Sequence, residues 1–140
     1  MENDLKTKHS ALIHALCLRH DIDMLILFGS SASETGRADS DIDLAVKSAI
    51  DKPVSKLRLI QEMEPIFEDR RIDLTVLTNN TDPLLLFEIF SNGRPLFQKT
   101  KCLFETNRLK SWHLYLDTMP LREYEKTYNK KRVRALNDVT

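Results

Sequence analysis

This sequence has few of the features that mark disulfide-rich, membrane-spanning or secreted proteins. Only two cysteines occur, Cys17 and Cys102, which excludes the disulfide framework of small secreted domains. No apolar run approaches the roughly 20 residues that a membrane-spanning helix needs. The N-terminus begins acidic and polar, unlike a secretory signal peptide. We therefore expect a cytoplasmic protein without a membrane segment.

An excess of charge of one sign is also missing. The chain has 21 basic and 21 acidic residues, so its formal net charge is zero. This balance disfavours nucleic acid as the main partner. Its 140 residues and 41% apolar content are typical of one globular domain. Glycine is rare, and we expect each of Gly29, Gly36 and Gly93 to serve a particular turn.

Short strands alternate with amphipathic helices along the chain, as judged from the spacing of apolar residues. Pro120 is predicted to break the last helix in two. The pattern predicts strands at 24–28, 41–46, 71–77 and 95–98, and helices at 4–20, 53–67, 83–90 and 100–138. We therefore expect an α/β (α+β) fold with a small mixed β-sheet flanked by helices. Residues 101–140 would add a C-terminal helix and charged arm to the same structural unit as 1–100.

Three aspartates carry the main chemical signal. Asp41 and Asp43 are two residues apart in an alternating strand, so their side chains leave the same face. Asp73 lies opposite the apolar face of another alternating strand. If these strands are neighbours, the three carboxylates converge, and such a group remains ionised most easily beside a cation. Carboxylate oxygens suit Mg²⁺, so we predict all three aspartates to be metal-binding and catalytic.

A phosphate-binding turn is predicted between the first strand and these acids. Gly29 ends the strand at 24–28, and Ser30 opens a short helical turn whose donors suit phosphate oxygens. Ser31 and Arg37 are further candidate nucleotide-binding residues, although Arg37 also fits a solvated loop. Two metal ions would clamp the attacking and leaving oxygens of an in-line displacement at the α-phosphorus. Asp73 would help to remove the proton from the attacking hydroxyl.

These motifs resemble those of a known superfamily. Gly29-Ser30, ten residues, then Asp41-Ile42-Asp43 resembles the signature of DNA polymerase beta-like nucleotidyltransferases. The segment Arg71-Ile72-Asp73-Leu74 resembles the strand that bears their third acid. The short length is similar to that of the minimal nucleotidyltransferase (MNT) family, whose domain would occupy residues 1–100. The C-terminal segment resembles that of MNT antitoxins paired with HEPN toxins.

This resemblance implies the nucleotidyltransferase fold and a specific activity. An antitoxin of this kind transfers AMP from ATP to a tyrosine hydroxyl of its HEPN ribonuclease toxin, with Mg²⁺ as cofactor, and releases pyrophosphate. The toxin would be encoded by a neighbouring gene and form a hetero-oligomer with this chain, as in type VII-like systems.

Three alternative functions stay open. The first is an antitoxin that neutralises its toxin by binding alone, against which the three intact acids count. The second is a small-molecule nucleotidyltransferase of the aminoglycoside kind, which the short chain weakens because little room remains for a second substrate-binding domain. The third is transfer to an RNA end, which the neutral charge disfavours.

Overall fold

Helices and strands alternate through the chain in a computed structural model that describes residues 2–29, 41–49 and 53–138. Side chains are described for residues 9–29, 41–49, 53–121 and 123–132. No helix within these ranges is both long and apolar enough to cross a membrane. The elements are α1 (Glu2–Arg19), β1 (Ile22–Phe28), β2 (Ile42–Ser48), α2 (Lys56–Met63), β3 (Ile72–Val76), α3 (Pro83–Asn92), β4 (Arg94–Gln98) and α4 (Leu103–Asp138).

The strands form one mixed sheet in the order β3-β2-β1-β4. β1 runs antiparallel to both β2 and β4, whereas β2 and β3 are parallel. The predicted α+β class, with a small mixed sheet, flanking helices and a C-terminal helix, is confirmed. The position of β1 inside the sheet explains its continuous apolar run. Helices cover both faces of that strand, and Met24 to Leu27 are all buried.

Strand alternation divides the core into two clusters, one on each face of the sheet. The first lies under α1 and α2, and the second lies under α3 and α4. Cys17, which the apolar pattern of α1 placed in the core, is fully buried in the first cluster. Central members of the first cluster are Leu16, Leu25, Leu44, Leu59 and Leu74. Those of the second are Met24, Ile26, Ala45, Ile89, Phe90 and Phe104.

Helix ends follow local capping chemistry. The Oδ1 atom of Asp82 accepts a hydrogen bond from the Leu84 N–H at 2.9 Å, and Pro83 is the first residue of α3, as predicted. Gly93 caps the other end, also as predicted. The predicted start of α2 at Pro53 was wrong, because the N-cap is Ser55. This helix also stops before Pro65, which has no N–H to continue the hydrogen-bond ladder.

The prediction that Pro120 divides the last helix was wrong. α4 continues through Pro120, which removes one backbone donor and tends to bend a helix rather than end it. The first half of α4 packs on α3: the Trp112 indole N–H donates to the Ser91 hydroxyl at 3.0 Å. From Pro120 to Arg132, every described side chain is exposed. We call residues 120–132 the arm.

Candidate functional site

Strand pairing brings the predicted acids to one end of the sheet. In the parallel pairing of β2 with β3, Asp43 lies directly opposite Asp73. On the other side of β2, Asp43 pairs with Phe28, the last residue of β1. Asp43 alternates in phase with Ala45, which belongs to the cluster under α3 and α4. Both carboxylates therefore leave the sheet on that face.

The pKa of Asp43 is influenced by the carboxylates around it. Its pKa is raised above the ordinary value, first by partial burial and then by the negative charges of Asp73, Asp41 and Glu88. Burial and like charges both disfavour the ionised form of a carboxyl group. Asp43 is half-buried while the other three acids are exposed. The site is thus an acidic cluster in which the most enclosed carboxylate would benefit most from a bound cation.

Glu88 was missed by the sequence analysis. It lies on α3, and its charge contributes to the raised pKa of Asp43. The stretch from Pro83 to Phe90 reads as an apolar helix, and in it Glu88 is the only charged residue. That isolated charge was the available signal. Only the packing of α3 over the acidic face of the sheet shows which side chains it approaches.

Gly29 lies directly beside this cluster. Its φ is +73°, in the left-handed region that favours glycine. A Cβ atom at this position would lie 2.1 Å from Oδ2 of Asp43 and 3.0 Å from its Cγ. The glycine is therefore required by the turn and also by the space that the Asp43 carboxylate occupies. Ser30, Ser31 and Arg37 lie outside the described residues, so their nucleotide-binding roles stay predictions.

The donor set fits a hard divalent cation by its chemistry. Carboxylate oxygens are the protein ligands that Mg²⁺ prefers, and a cation would relieve the repulsion that raises the pKa of Asp43. Within the described ranges, however, no three histidine, cysteine or acidic side chains already stand close enough to hold a metal ion. The aspartate side chains would therefore have to turn toward one another on binding.

A groove of about 770 Å³ opens on the same face of the sheet as the acids. It runs between α3, α4 and the ends of β2 and β3. The Lys47 ammonium donates to Oδ1 of Asn107 at 3.0 Å across it. Its walls combine apolar and basic side chains, which include Leu77, Leu86, Phe90, Lys110 and Leu114. We refer to it as the α3–α4 groove.

A family model described as polymerase beta nucleotidyltransferase matches residues 11–102. The chain belongs to the polymerase beta nucleotidyltransferase family. The matched segment contains Gly29, Asp41, Asp43 and Asp73, so the acidic cluster lies within the nucleotidyltransferase domain. The resemblance drawn from the motifs is confirmed. No sequence among curated proteins matches the chain.

Solved structures of toxin–antitoxin proteins share the fold. One, a toxin–antitoxin with AMP-PNP, is 22% identical, with a TM-score of 0.70, over 86% of this chain and 98% of its own. A second is a tri-AMPylated HEPN toxin with its MNT antitoxin from Shewanella oneidensis, at 20% identity and a TM-score of 0.65 over 89% and 98%. A structure of the MntA–HepT toxin–antitoxin has the same identity, TM-score and two coverages. At these identities the likeness establishes the nucleotidyltransferase fold.

Proposed function

We propose that this chain is an antitoxin that transfers AMP from ATP to a tyrosine hydroxyl of a HEPN-family toxin. Nucleotidyltransferase chemistry is what its family membership supports. The observation that carries the proposal is the register of β2 and β3, which sets Asp43 beside Asp73 with Asp41 nearby. The acceptor and the nucleotide are suggested by the similar proteins, one with AMP-PNP and one with a tri-AMPylated HEPN toxin.

The proposed roles follow from the positions of the acids. Asp41 and Asp43 would hold two Mg²⁺ ions, with Asp73 as a further ligand on the nucleophile side. When bound, the ions stabilise charge on the attacking and leaving oxygens. The tyrosine oxygen forms a bond to the α-phosphorus of ATP, the bond from that phosphorus to the β-phosphate oxygen breaks, and pyrophosphate leaves. Asp73 takes up the tyrosine proton.

The turn at Gly29 would bind the leaving phosphates. Gly29 keeps the backbone free of a side chain next to the Asp43 carboxylate, so a phosphate and the cations that bridge it can approach closely. We assign Ser30 and Ser31 to phosphate binding through their hydroxyl and backbone N–H groups. Arg37 would add a positive charge for the same phosphates.

The test uses the HEPN-family protein that we expect to be encoded beside this chain. The two proteins are incubated with Mg²⁺ and each nucleoside triphosphate in turn, and the intact mass of the HEPN protein is measured. We expect the mass to rise by whole AMP units with ATP, and chelation of Mg²⁺ to abolish the change. Peptide mapping should place the added AMP on tyrosine.

Matched variants make the test specific for the acidic cluster. Asp41→Asn and Asp43→Asn should eliminate transfer. Asp82→Asn is the control, because it makes the same chemical change at the opposite end of β3, and asparagine caps a helix as well as aspartate does. If the two proteins bind tightly and no adduct forms, the activity proposed here is wrong and neutralisation by binding alone replaces it.

A further inference from the structure

The arm extends beyond the body of the protein. α4 has 36 residues, which at about 1.5 Å per residue gives a helix about 54 Å long. Its buried and half-buried side chains end at Met119. A helical segment that packs on nothing gains little stability from propensity alone, because most helix stability in proteins comes from tertiary packing of one face. The arm therefore presents exposed side chains along its length and is available to pack on a partner.

A line of large apolar side chains runs along the outer part of α4. Leu114, Leu121, Tyr124 and Tyr128 are exposed by 39%, 60%, 67% and 54%. Their successive spacings of seven, three and four residues place them on one face of the helix, in the heptad pattern by which helices pack together. Single exposed leucines need no explanation, but a continuous line marks an interaction surface. We call these four residues the α4 seam.

The seam continues into the α3–α4 groove. Leu114 belongs to both, and it stands in the groove wall with Leu77 and Phe90. That groove lies on the face of the sheet from which Asp43 and Asp73 project. The groove stands at the ends of β2 and β3 away from the acids, so a molecule that packs along the seam reaches the face of the sheet that carries them at the other end of these strands.

The charge along the arm restricts which partner can pack on the seam. Residues 126–132 contain four basic side chains, Lys126, Lys130, Lys131 and Arg132, and no acidic one. A second copy of α4 is disfavoured in either direction. In a parallel pair of α4 helices, the two basic ends would lie next to each other. In an antiparallel pair, each basic end would approach Lys110 and Lys47 at the groove of the other copy. A complementary helix needs apolar residues along its face and carboxylates opposite the end of the arm.

We propose that the α4 seam is a docking surface for an amphipathic, acidic helix of the acceptor protein, an identification that rests on the proposed function. Leu121, Tyr124 and Tyr128 pack against apolar side chains of that helix. The basic end of the arm pairs with its carboxylates. The docked acceptor then lies over the groove, on the face of the sheet that carries the acidic cluster.

The test replaces the seam and, separately, the opposite face of the arm. Leu121→Ala, Tyr124→Ala and Tyr128→Ala are combined in one variant, and alanine preserves helix propensity. The control combines Glu123→Ala and Asn129→Ala, which lie on the side of the helix away from the seam and leave the four basic side chains in place. Circular dichroism checks that both variants keep their helix content.

Affinity for the HEPN-family protein that we expect to be encoded beside this chain is then measured by calorimetry. We expect the seam variant to bind at least about 30-fold more weakly, since buried tyrosines at interface centres are common hot spots. The control should bind within about two-fold of the wild type, as surface positions outside a contact usually do. Equal affinities for the seam variant and the wild type would overturn the proposal.

Further measurements separate this inference from the proposed activity. If transfer occurs, the seam variant should raise the KM for the acceptor while kcat stays near that of the wild type. Absence of AMP transfer together with seam-dependent binding would remove the activity and leave the docking surface standing. A dimer of this chain alone that the seam variant dissociates would overturn the proposal in favour of a second copy. Seam-dependent binding of RNA would overturn it as well.

Discussion

Gly29 and Asp43 lie directly against each other although fourteen positions separate them in the sequence. The strand pairing of β1 with β2 brings them together, and the absent side chain of Gly29 is the space in which the Asp43 carboxylate lies. The glycine therefore shapes the acidic cluster itself as well as the turn that precedes it.

Gly29→Ala should consequently damage both the fold and the site. The added methyl group would lie 2.1 Å from Oδ2 of Asp43, so that carboxylate must move. A side chain at φ +73° also costs about 1–2 kcal/mol. We expect a lower melting temperature and AMP transfer reduced by at least about 100-fold, the scale on which a misplaced reacting group acts. Wild-type values in thermal denaturation and transfer assays would contradict this.

Asp43→Asn should separate stability from activity. The pKa of Asp43 is raised by partial burial and by Asp73, Asp41 and Glu88. A raised carboxyl pKa means that the folded state binds the proton more tightly than the unfolded state does, so this group costs stability above its folded pKa. The variant, which lacks that charge, should melt at a higher temperature than the metal-free wild type at pH 7 while losing transfer.

The pH and metal dependence of that difference provide its control. The advantage of Asp43→Asn should shrink as the pH falls through the raised pKa of Asp43, because the wild type then becomes neutral at this position too. Mg²⁺ should raise the melting temperature of the wild type more than that of the variant. A variant less stable than the wild type at pH 7 would show that the Asp43 charge is already compensated.

The two cysteines should differ in reactivity. Burial raises the pKa of the Cys17 thiol to about 12, whereas Cys102 is exposed. Because the thiolate is the reactive form, iodoacetamide at pH 8 should label one thiol per native chain and two after unfolding. Cys102→Ser should remove the native label. Rapid modification of Cys17 in the native protein would mean that α1 opens readily from the sheet.

At the residue scale, the sequence predicted the positions that follow from strand alternation. Alternation with Ile42, Leu44 and Leu74 predicts the face from which Asp41, Asp43 and Asp73 project, while their catalytic roles stay predictions. Glu88 was not predicted, because it approaches the cluster only through packing of α3 on the sheet. The contact of Gly29 with Asp43 was missed for the same reason, since it depends on a cross-strand register.

Among the elements, α4 differs most from its sequence expectation. The sequence pattern predicts that the helix ends at Pro120, whereas the helix continues to Asp138. Strands were predicted more closely than helix ends, because a period of two and a continuous apolar run depend on few residues. Helix ends depend on caps such as Ser55, which propensity alone does not single out.

Pro120→Ala should strengthen α4 locally. Alanine restores the N–H that can bond to the Leu116 carbonyl, and proline in a helix interior costs about 3 kcal/mol relative to alanine. Because the side chains of the arm make no packing contacts in the described part of the chain, the gain should appear as slower amide exchange near residue 120 and higher helical ellipticity. The global melting temperature should change little. Unaltered exchange would indicate that the arm frays irrespective of Pro120.

For the whole molecule, the sequence predicted the class of fold but not its topology. Alternating strand and helix patterns indicated a mixed sheet, yet nothing in them specified the order β3-β2-β1-β4. Strand order depends on which connections cross over the sheet, and several orders suit the same pattern of apolar residues. For this reason the sequence predicts convergence of the acids only on the condition that their two strands are neighbours.

Contacts between α2 and the end of α1 make a second pH-dependent contribution to the stability of the protein. The His20 ring and the Glu62 carboxylate form a hydrogen bond, and Arg19 lies 3.8 Å from the same oxygen. The pKa of Glu62 is lowered, chiefly by the hydrogen bond to His20. A lowered carboxyl pKa contributes stability above the ordinary value of 4.5, and that contribution is lost as the pH falls through the folded pKa.

Glu62→Gln should therefore flatten the acid side of the stability profile. We expect a small decrease in melting temperature at pH 6, since the carboxylate is partly open to solvent, and no difference at a pH below the folded pKa of Glu62. Glu64→Gln, exposed and only two residues away, is the control. Parallel profiles for the wild type and Glu62→Gln would show that this pair adds nothing to stability.

The parallel pairing of β2 with β3 also governs how freely the chain between them can change. Asp43 and Asp73 are held side by side by backbone hydrogen bonds of the sheet, and no connecting loop determines their spacing. The stretch between these strands can therefore change in length without disturbing the acids. A reporter peptide or an affinity tag inserted just before α2 should be tolerated for the same reason.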